Sequence, residues 1–497
     1  MTLESDLREG IAGEVRFNAG DRALYASDSS NYRHIPRGVV VPRSVEDIAN
    51  AVAICSKHDA PIVHRGGGTS LAGQAIATGA VIIDSSKYCC AIVSIDPEKR
   101  LAVVEPGCVL DDLRDAATRH GLTFGPDPST HNHNTLGGMI GNNSCGVHSV
   151  MAGRTVDNVE SLEILTYDGV GMTVGKTAEL ARACAMPGRA GAIYRELHRL
   201  QETYGAEIRQ TFPHLPRLVS GYRLEFLLPE NGFHVARALV GSESTCVSIL
   251  RATVNLVPDP VKTLVILGFD DLAHAADAVP DVIAFKPIAC EAMDHALIES
   301  MEKKRFKLDS IKDLPAGRAW LLVQFGGSDA ADAEANAQKL RTAFANRVHV
   351  TSDEIVRDPR KRQAIWDVRK AGLPVTAWVP GQKRDTWEGW EDSAVPREHL
   401  GEYIRKLKAL MDKHDYHAAM YGHFGDGLIH MRVDFGLHTD GEVKTFRAFM
   451  EEAADLVVSL GGSLSGEHGD GQSRSELLPR MYPPRIMDCR HRNLRSP

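Results

Sequence analysis

HRGGGTSLAGQ, residues 64–74, follows a short apolar run at Ile62 and Val63 that reads as a strand. Three contiguous glycines let the backbone approach a ligand closely and turn its amides toward an anion. Thr69 and Ser70 add hydroxyl donors. The loop is neither the G-x-G-x-x-G of nicotinamide-binding folds nor a Walker loop, because Gly66, Gly67 and Gly68 are adjacent and no Gly-Lys-Thr follows. Alone, such a triplet is more often a plain turn than a phosphate cradle, and its meaning depends on the rest of the chain.

The second landmark is GPDPSTHNHNTLGGMIGNNSCG, residues 125–146. Its glycines, prolines and small polar residues exclude a regular helix or a central strand. A solvated linker would carry charge, yet Asp127 is the one acidic or basic side chain here, histidines aside. A loop wrapped around a large polar ligand fits better. GSEST, residues 241–245, is a third and weaker patch. Between these landmarks strands and helices alternate. RGVVVPRS is a strand entering a turn, and SVEDIANAVAICSKHDA is a helix with Ser44 as its N-cap. RLAVVEPGCVLDDLRDAATRHG gives a strand, a turn at Pro106 and Gly107, and another helix. This order predicts an α/β or α+β domain. From Lys262 the texture changes: helices over roughly 331–346 and 396–414 alternate with TLVILGF, AWLLVQFGG and GLIHMRVDF, which predicts an α+β domain of antiparallel strands. The closely spaced prolines at 258 and 260 mark the expected boundary. The expected divisions are residues 1–36, an N-terminal extension; 37–260; 261–482; and a tail, 483–497.

The three glycine-rich segments, with the PGC turn at residues 106–108, resemble the FAD-binding domain of the vanillyl-alcohol oxidase and p-cresol methylhydroxylase type in order and spacing. The resemblance implies that Arg65 and Gly66, Gly67, Gly68, Thr69 and Ser70 hold the diphosphate of FAD. It implies that Gly73, Gln74, Pro126, Asp127, Thr130, Gly137, Gly138, Gly141, Asn142 and Gly146 line the rest of the flavin. Thr69 stands in the loop that carries a histidine in members with covalent flavin, so non-covalent FAD is expected. Ser244 stands where relatives usually have glycine and is expected to crowd the edge of the cofactor.

Two further motifs lie in the second half: HFGDGLIH, residues 423–430, and SGEHGDGQ, residues 465–472. If Leu428 to Phe435 is extended, His430, Arg432 and Asp434 share one face, and the turn through Gly425, Asp426 and Gly427 folds His423 back beside His430. Two imidazoles and a carboxylate suit Zn²⁺ or a similar divalent ion, with positions left open for substrate. By spacing alone, a histidine pair seven residues apart is unremarkable among 21 histidines. The H-E-x-x-H helix of zinc proteases is incompatible with so much glycine.

These motifs resemble the C-terminal domain of the FAD-linked oxidases that act on D-2-hydroxy acids, a family including D-lactate dehydrogenase, the glycolate oxidase flavin subunit and D-2-hydroxyglutarate dehydrogenase. The resemblance implies His423, His430 and Glu467 as metal ligands, His468 as the catalytic base, and Arg369 in AIWDVRKAG as the partner of the substrate carboxylate. Lys383 and Arg384 are further candidates for an anion. Leu428 and Arg432 depart from the family pattern. The implied reaction is FAD-dependent oxidation of D-lactate, D-2-hydroxyglutarate or glycolate to the 2-oxo acid.

Composition limits the partners. A formal charge of −8 argues against a nucleic-acid binder. The N-terminus MTLESDLREG lacks the basic leader and apolar core of a signal peptide, and no apolar run approaches the roughly 18 residues of a membrane span. A cytoplasmic location is expected, peripheral to the membrane through an electron acceptor. Nine cysteines without a C-x-x-C predict reduced thiols and exclude a cysteine-ligated iron–sulfur cluster. Electrons are therefore expected to pass to a separate quinone, cytochrome, electron-transfer flavoprotein or iron–sulfur subunit. The tail PPRIMDCRHRNLRSP is basic and proline-broken, with no visible core pattern, and is expected to be truncated or altered. It motivates an alternative, a non-catalytic flavoprotein-like subunit of an iron–sulfur oxidoreductase complex. An oxidase of sugars or lactones on the same fold would leave the His423, His430 and Glu467 set unexplained.

Overall fold

The computed structural model describes residues 2–382 and 384–493, with nothing said of the side chains of residues 490–493. Near the N-terminus, strands Gly38–Val41, Val81–Asp84 and Ile62–Arg65 form a parallel sheet, which the short strand Glu14–Arg16 extends antiparallel. Gly38–Val41 and Val81–Asp84 are buried at every position, as parallel strands covered on both faces must be. Helix Val45–Lys57 begins where Ser44 Oγ accepts the Asp47 amide at 3.3 Å, as the sequence predicts. Its Ile48, Ala51, Val52 and Cys55 pack against Val40, Val81 and Ile83.

A second, fully antiparallel sheet follows in the order Ile92–Asp96, Leu101–Val104, Ser248–Asn255, Val159–Leu165, Gly171–Val174. The long excursion between Leu101–Val104 and Val159–Leu165 carries the glycine-rich segment of residues 125–146, which contains the short helix Leu136–Asn142.

The second half is built on a seven-stranded antiparallel sheet, in the order Val350–Val356, Val261–Phe269, Ala319–Gly327, Ala289–Asp294, Ala418–Gly422, Leu428–Val433, Asp392–Ala394. Val261–Phe269 and Ala319–Gly327 pair along nine positions and are mostly buried, so this end is the rigid part of the sheet. Helix Ala330–Phe344 packs on it, and Leu400–Lys413 and Asp440–Ser459, packed against each other, join the same apolar core. The expected α+β architecture is therefore present. One apolar core runs continuously from Val104 and Leu136 to Cys290, Phe424 and Tyr482, so the two halves share their interior.

The tail corrects the sequence reading. Residues 484–493 form a helix against Gly188–Thr211, and its Ile486 and Cys489 are buried in the main core. Pro484 stands at the first helical position, where the missing amide hydrogen costs nothing. The two prolines thus begin an element, and Ile486 and Cys489, three apart, share one helical face. Residues 494–497 lie outside the described residues. Among the described residues no disulfide is formed, and no helix is long and apolar enough to cross a membrane.

Candidate functional site

Strand Ile62–Arg65 delivers the glycine loop to the junction of the two halves, where a cleft opens. One wall consists of Arg65, Gly66, Gly67, Gly68, Thr69, Ser70 and Gln74. Facing it are Asp127, Thr130, Gly137, Gly138, Gly141 and Asn142. The far end is made by Arg369, His423, His430, Glu467 and His468, so both sets of sequence candidates meet in one cavity. Gly73, Pro126 and Gly146 do not line it. Gly146, at φ +135°, lets the chain pass so near Asp127 that a Cβ would lie 2.3 Å from its carbonyl carbon. Gly73 accepts a 2.7 Å bond from Gln472. They shape the wall from behind.

The loop glycines are required by packing as well as by any ligand. A Cβ on Gly67 would meet the His133 carbonyl oxygen at 2.2 Å, and one on Gly66 would meet Thr135 Oγ1 at 2.1 Å. Seated in this way, the loop lines the cleft, and the backbone amides of residues 66–70 find no acceptor among the described residues. Gln74 Oε1 and Asn134 Oδ1 are also buried in the cleft wall without a partner. At Gly141 nothing lies within 4 Å of where a Cβ would be. Unspent donors and acceptors around a glycine-lined space are what the diphosphate and ring edges of FAD need, so the residues fit that cofactor. Asp127 differs from expectation in one respect. Its carboxylate is engaged by His148, through Nδ1 at 2.6 Å and the backbone amide at 2.9 Å. Ser244, at φ +65°, accepts the His64 amide at 3.0 Å and so ties the third patch to the glycine loop.

At the other end, Phe424–Asp426 forms one tight 3-10 turn, closed by Gly427 at φ +78°, which returns the chain into Leu428–Val433. His423 and His430 thereby face each other with ring centroids 5.1 Å apart. Glu467 Oε2 lies 3.0 Å from His423 Nε2 and 3.3 Å from His430 Nε2. Both imidazoles thus meet the same carboxylate oxygen, and together these side chains offer the imidazole and carboxylate donors that suit a divalent ion. The remaining ring nitrogens are held from behind: His423 Nδ1 by Glu291 Oε1 at 2.7 Å, and His430 Nδ1 by the Glu391 carbonyl at 3.3 Å. Such outer contacts orient imidazole ligands.

Asp392 and His468 also bring ligand atoms within 4.8 Å of His430 and Glu467. Asp392 Oδ2 and His468 Nδ1 are committed elsewhere, while Asp392 Oδ1 and His468 Nε2 have no hydrogen-bond partner among the described residues. Asp392 Oδ2 accepts from Ser465 Oγ and from the Glu467 and His468 amides, at 2.5, 3.1 and 2.7 Å. His468 Nδ1 donates to Glu391, at 2.9 and 2.8 Å to its two oxygens. Of the three residues that the sequence motifs suggest, His430 and Glu467 belong to this four-residue cluster, and His423 joins it through Glu467.

The electrostatics are those of a buried, nearly balanced cluster. Burial works against charge on Glu467, but His423 and Arg217 outweigh it and hold the carboxyl well below the usual range. Burial lowers His430. His423 is also pulled down by burial, yet Glu291 more than compensates and it ends raised. For His468 burial is again outweighed, by Glu391 and Asp392, which push the imidazole up to about 10.

Arg369 is buried on the cleft wall but is not a free guanidinium. It pairs with Glu291 at 2.6 Å and lies over the Tyr421 ring at 4.9 Å. Arg384 is turned away, bound to the Asp415 carbonyl and carboxylate at 2.5 Å each, and Lys383 lies outside the described residues. Leu428 is fully buried, and Arg432 pairs with Glu388. The sequence reading missed Glu291, Glu391, Asp392, Arg217 and Arg474, none of which belongs to a glycine-rich motif. Arg217 is entirely buried and joins the Gly146 carbonyl at 2.5 Å and Asp426 at 3.1 Å, with Glu467 3.4 Å away. Ties across the cleft are numerous: Gln74 Nε2 donates to the His468 carbonyl at 2.6 Å, and Glu243 accepts the Asp470 and Gly471 amides at 2.7 and 2.9 Å.

Residues 259–492 match the family described as FAD linked oxidases, C-terminal domain, and residues 36–175 match the FAD binding domain family. The D-2-hydroxyglutarate dehydrogenase of Pseudomonas putida is 31% identical over 97% of this chain and 49% of its own length. The glycolate oxidase subunit GlcD of Bacillus subtilis is 28% identical over 94% of this chain and 88% of its own. The chain spans about half the length of the D-2-hydroxyglutarate dehydrogenases it matches. Among solved structures, p-cresol methylhydroxylase with substrate bound shares the fold at a TM-score of 0.66, across 98% of this chain and 92% of its own, at 15% identity. The chain thus carries an FAD binding domain and the C-terminal domain of FAD linked oxidases, on a fold of the p-cresol methylhydroxylase type.

Proposed function

We propose that this chain oxidises a small D-2-hydroxy acid, of the D-lactate, D-2-hydroxyglutarate or glycolate type, to the corresponding 2-oxo acid. The observation that carries the reading is the single cleft, which runs from the unspent amides of residues 66–70 to the His423, His430 and Glu467 cluster with His468 beside it. When bound, FAD would supply a two-electron acceptor and a divalent ion, zinc by its donor set, would polarise the substrate hydroxyl. Gly66, Gly67, Gly68, Thr69 and Ser70 would hold the diphosphate non-covalently, since Thr69 offers no attachment point. His423, His430 and Glu467 would hold the ion.

The remaining work falls to side chains. Arg369 takes the substrate carboxylate from its place on the cleft wall. His468, held by Nδ1, presents Nε2 to the cleft and removes the hydroxyl proton as the C2 hydrogen leaves with its electron pair. The shared core and the contacts across the cleft restrict water at the reacting end. A separate quinone, cytochrome, electron-transfer flavoprotein or iron–sulfur subunit then takes the electrons. The relatives' names span a five-carbon dicarboxylic and a two-carbon hydroxy acid, so the class supported is the 2-hydroxy acid.

His468→Gln tests the chemistry. The variant should keep its flavin absorbance while anaerobic flavin reduction slows by roughly 10²–10⁴-fold. Reduction at the wild-type rate would remove His468 from the reaction.

A further inference from the structure

The segment WEGWEDSA, residues 387–394, lies outside the two motifs that suggest the ligands and the base, yet it underlies both. It ends in the three-residue edge strand Asp392–Ala394, which pairs with Leu428–Val433 so that Asp392 stands opposite His430. Glu391, immediately before that strand, is buried. Its carboxylate receives His468 Nδ1 on both oxygens, at 2.9 and 2.8 Å, and its backbone carbonyl lies 3.3 Å from His430 Nδ1. Arg474, also buried, approaches the same carboxylate at 3.2 Å and anchors itself on the Gly389 and Gly469 carbonyls.

We propose that Glu391 is the positioning residue of this site: with its side chain it fixes His468, and with its carbonyl it fixes His430, so that each imidazole turns Nε2 into the cleft. The proposal rests on the reading of His468 as base. The two ring nitrogens of histidine differ, and the contact made by one decides what the other can do. Held by Nδ1, His468 keeps Nε2 without a partner among the described residues, on a ring stacked 4.9 Å from that of His430. Held likewise, His430 offers Nε2 beside Glu467, at 3.3 Å. A buried carboxylate serving structure alone would need no more than Arg474. Glu391 spends both oxygens on an imidazole as well.

The two functions of Glu391 are separable, because a side-chain substitution leaves the carbonyl in place. Asp392 is the control: its carboxylate holds Ser465 and the amides of Glu467 and His468, and therefore the whole ligand loop. The experiment uses the full chain loaded with FAD, as wild type, Glu391→Gln, Glu391→Asp and Asp392→Asn. Three quantities are read: Co²⁺ affinity by chelator competition, kcat and KM for flavin reduction by the most active 2-hydroxy acid, and the low-field proton resonance of an imidazole Nδ1–H bonded to a carboxylate. Glu391→Gln should lose that resonance and about 10²-fold in kcat, with Co²⁺ affinity and KM within about threefold. Glu391→Asp should recover part of both losses. Asp392→Asn should lose Co²⁺ affinity and reduction together. A Glu391→Gln protein that reduces at the wild-type rate, or that loses Co²⁺ affinity in step with kcat, overturns the proposal. If no acid reduces the wild-type flavin, the reaction has been misread. The resonance, which needs no substrate, then decides on Glu391: its absence from the wild type overturns the proposal, and its loss in Glu391→Gln supports it.

Discussion

Gly67 and Arg369 show how much single residues of this cleft do beyond touching a ligand. A methyl group on Gly67 would press against the His133 carbonyl from 2.2 Å, backbone against backbone, with no flexible side chain to give way. Gly67→Ala should cost about 1–3 kcal/mol of stability and at least about tenfold in FAD retention, measured by thermal unfolding and by flavin released on dilution. Arg369 is the cation that balances buried Glu291, and Glu291 in turn orients His423. Arg369→Met should therefore lose about 3–5 kcal/mol and weaken divalent-ion binding as well as raising KM. Adding Glu291→Gln should recover much of the stability, which a double-mutant cycle would read directly. These two residues also mark how far the sequence was legible. Glycines and histidines in short motifs declare their chemistry, because few other local structures need them. Glu291, Glu391, Asp392, Arg217 and Arg474 carry no such signal. Each meets its partner through a sheet register or across the junction of the two halves, and nothing in the neighbouring residues records that meeting.

At the scale of elements, the joints matter more than the strands. His148 joins Asp127, on the flavin side of the cleft, to Gln324 on Ala319–Gly327, through contacts of 2.6 and 2.7 Å. Burial opposes the charge on both members. It is outweighed for Asp127 by His148, which holds the carboxyl near 2, and for His148 by Asp127, which raises it above 6.5. The depressed acid contributes stability that is present above 3.8 and lost as pH falls toward 2. The raised histidine contributes stability that is complete below 6.5 and lost as pH rises through its elevated value. The difference in melting temperature between wild type and His148→Gln should thus be largest between about pH 4 and 6.5 and shrink on either side. A difference that does not vary with pH would show that the pair is not charged. Elements were legible wherever period and caps agreed, as in the helix begun by Ser44 and the strands around Ile266 and Val323. They were misread at the C-terminus, where Pro483 and Pro484 look like an interruption and instead start a helix that buries Ile486 and Cys489.

For the molecule as a whole, the consequence of the fold is that two groups of residues from opposite halves of the sequence become opposite ends of one cleft. The apolar core that continues beneath it fixes their spacing. The most direct test is an anaerobic absorbance spectrum of the FAD-loaded protein during addition of D-lactate, D-2-hydroxyglutarate and glycolate, repeated after chelation and again after Zn²⁺ is restored. The account predicts flavin bands that bleach with at least one acid, persist after chelation, and bleach again once the ion is returned. Bands that bleach equally well after chelation, or that no 2-hydroxy acid bleaches, would contradict it.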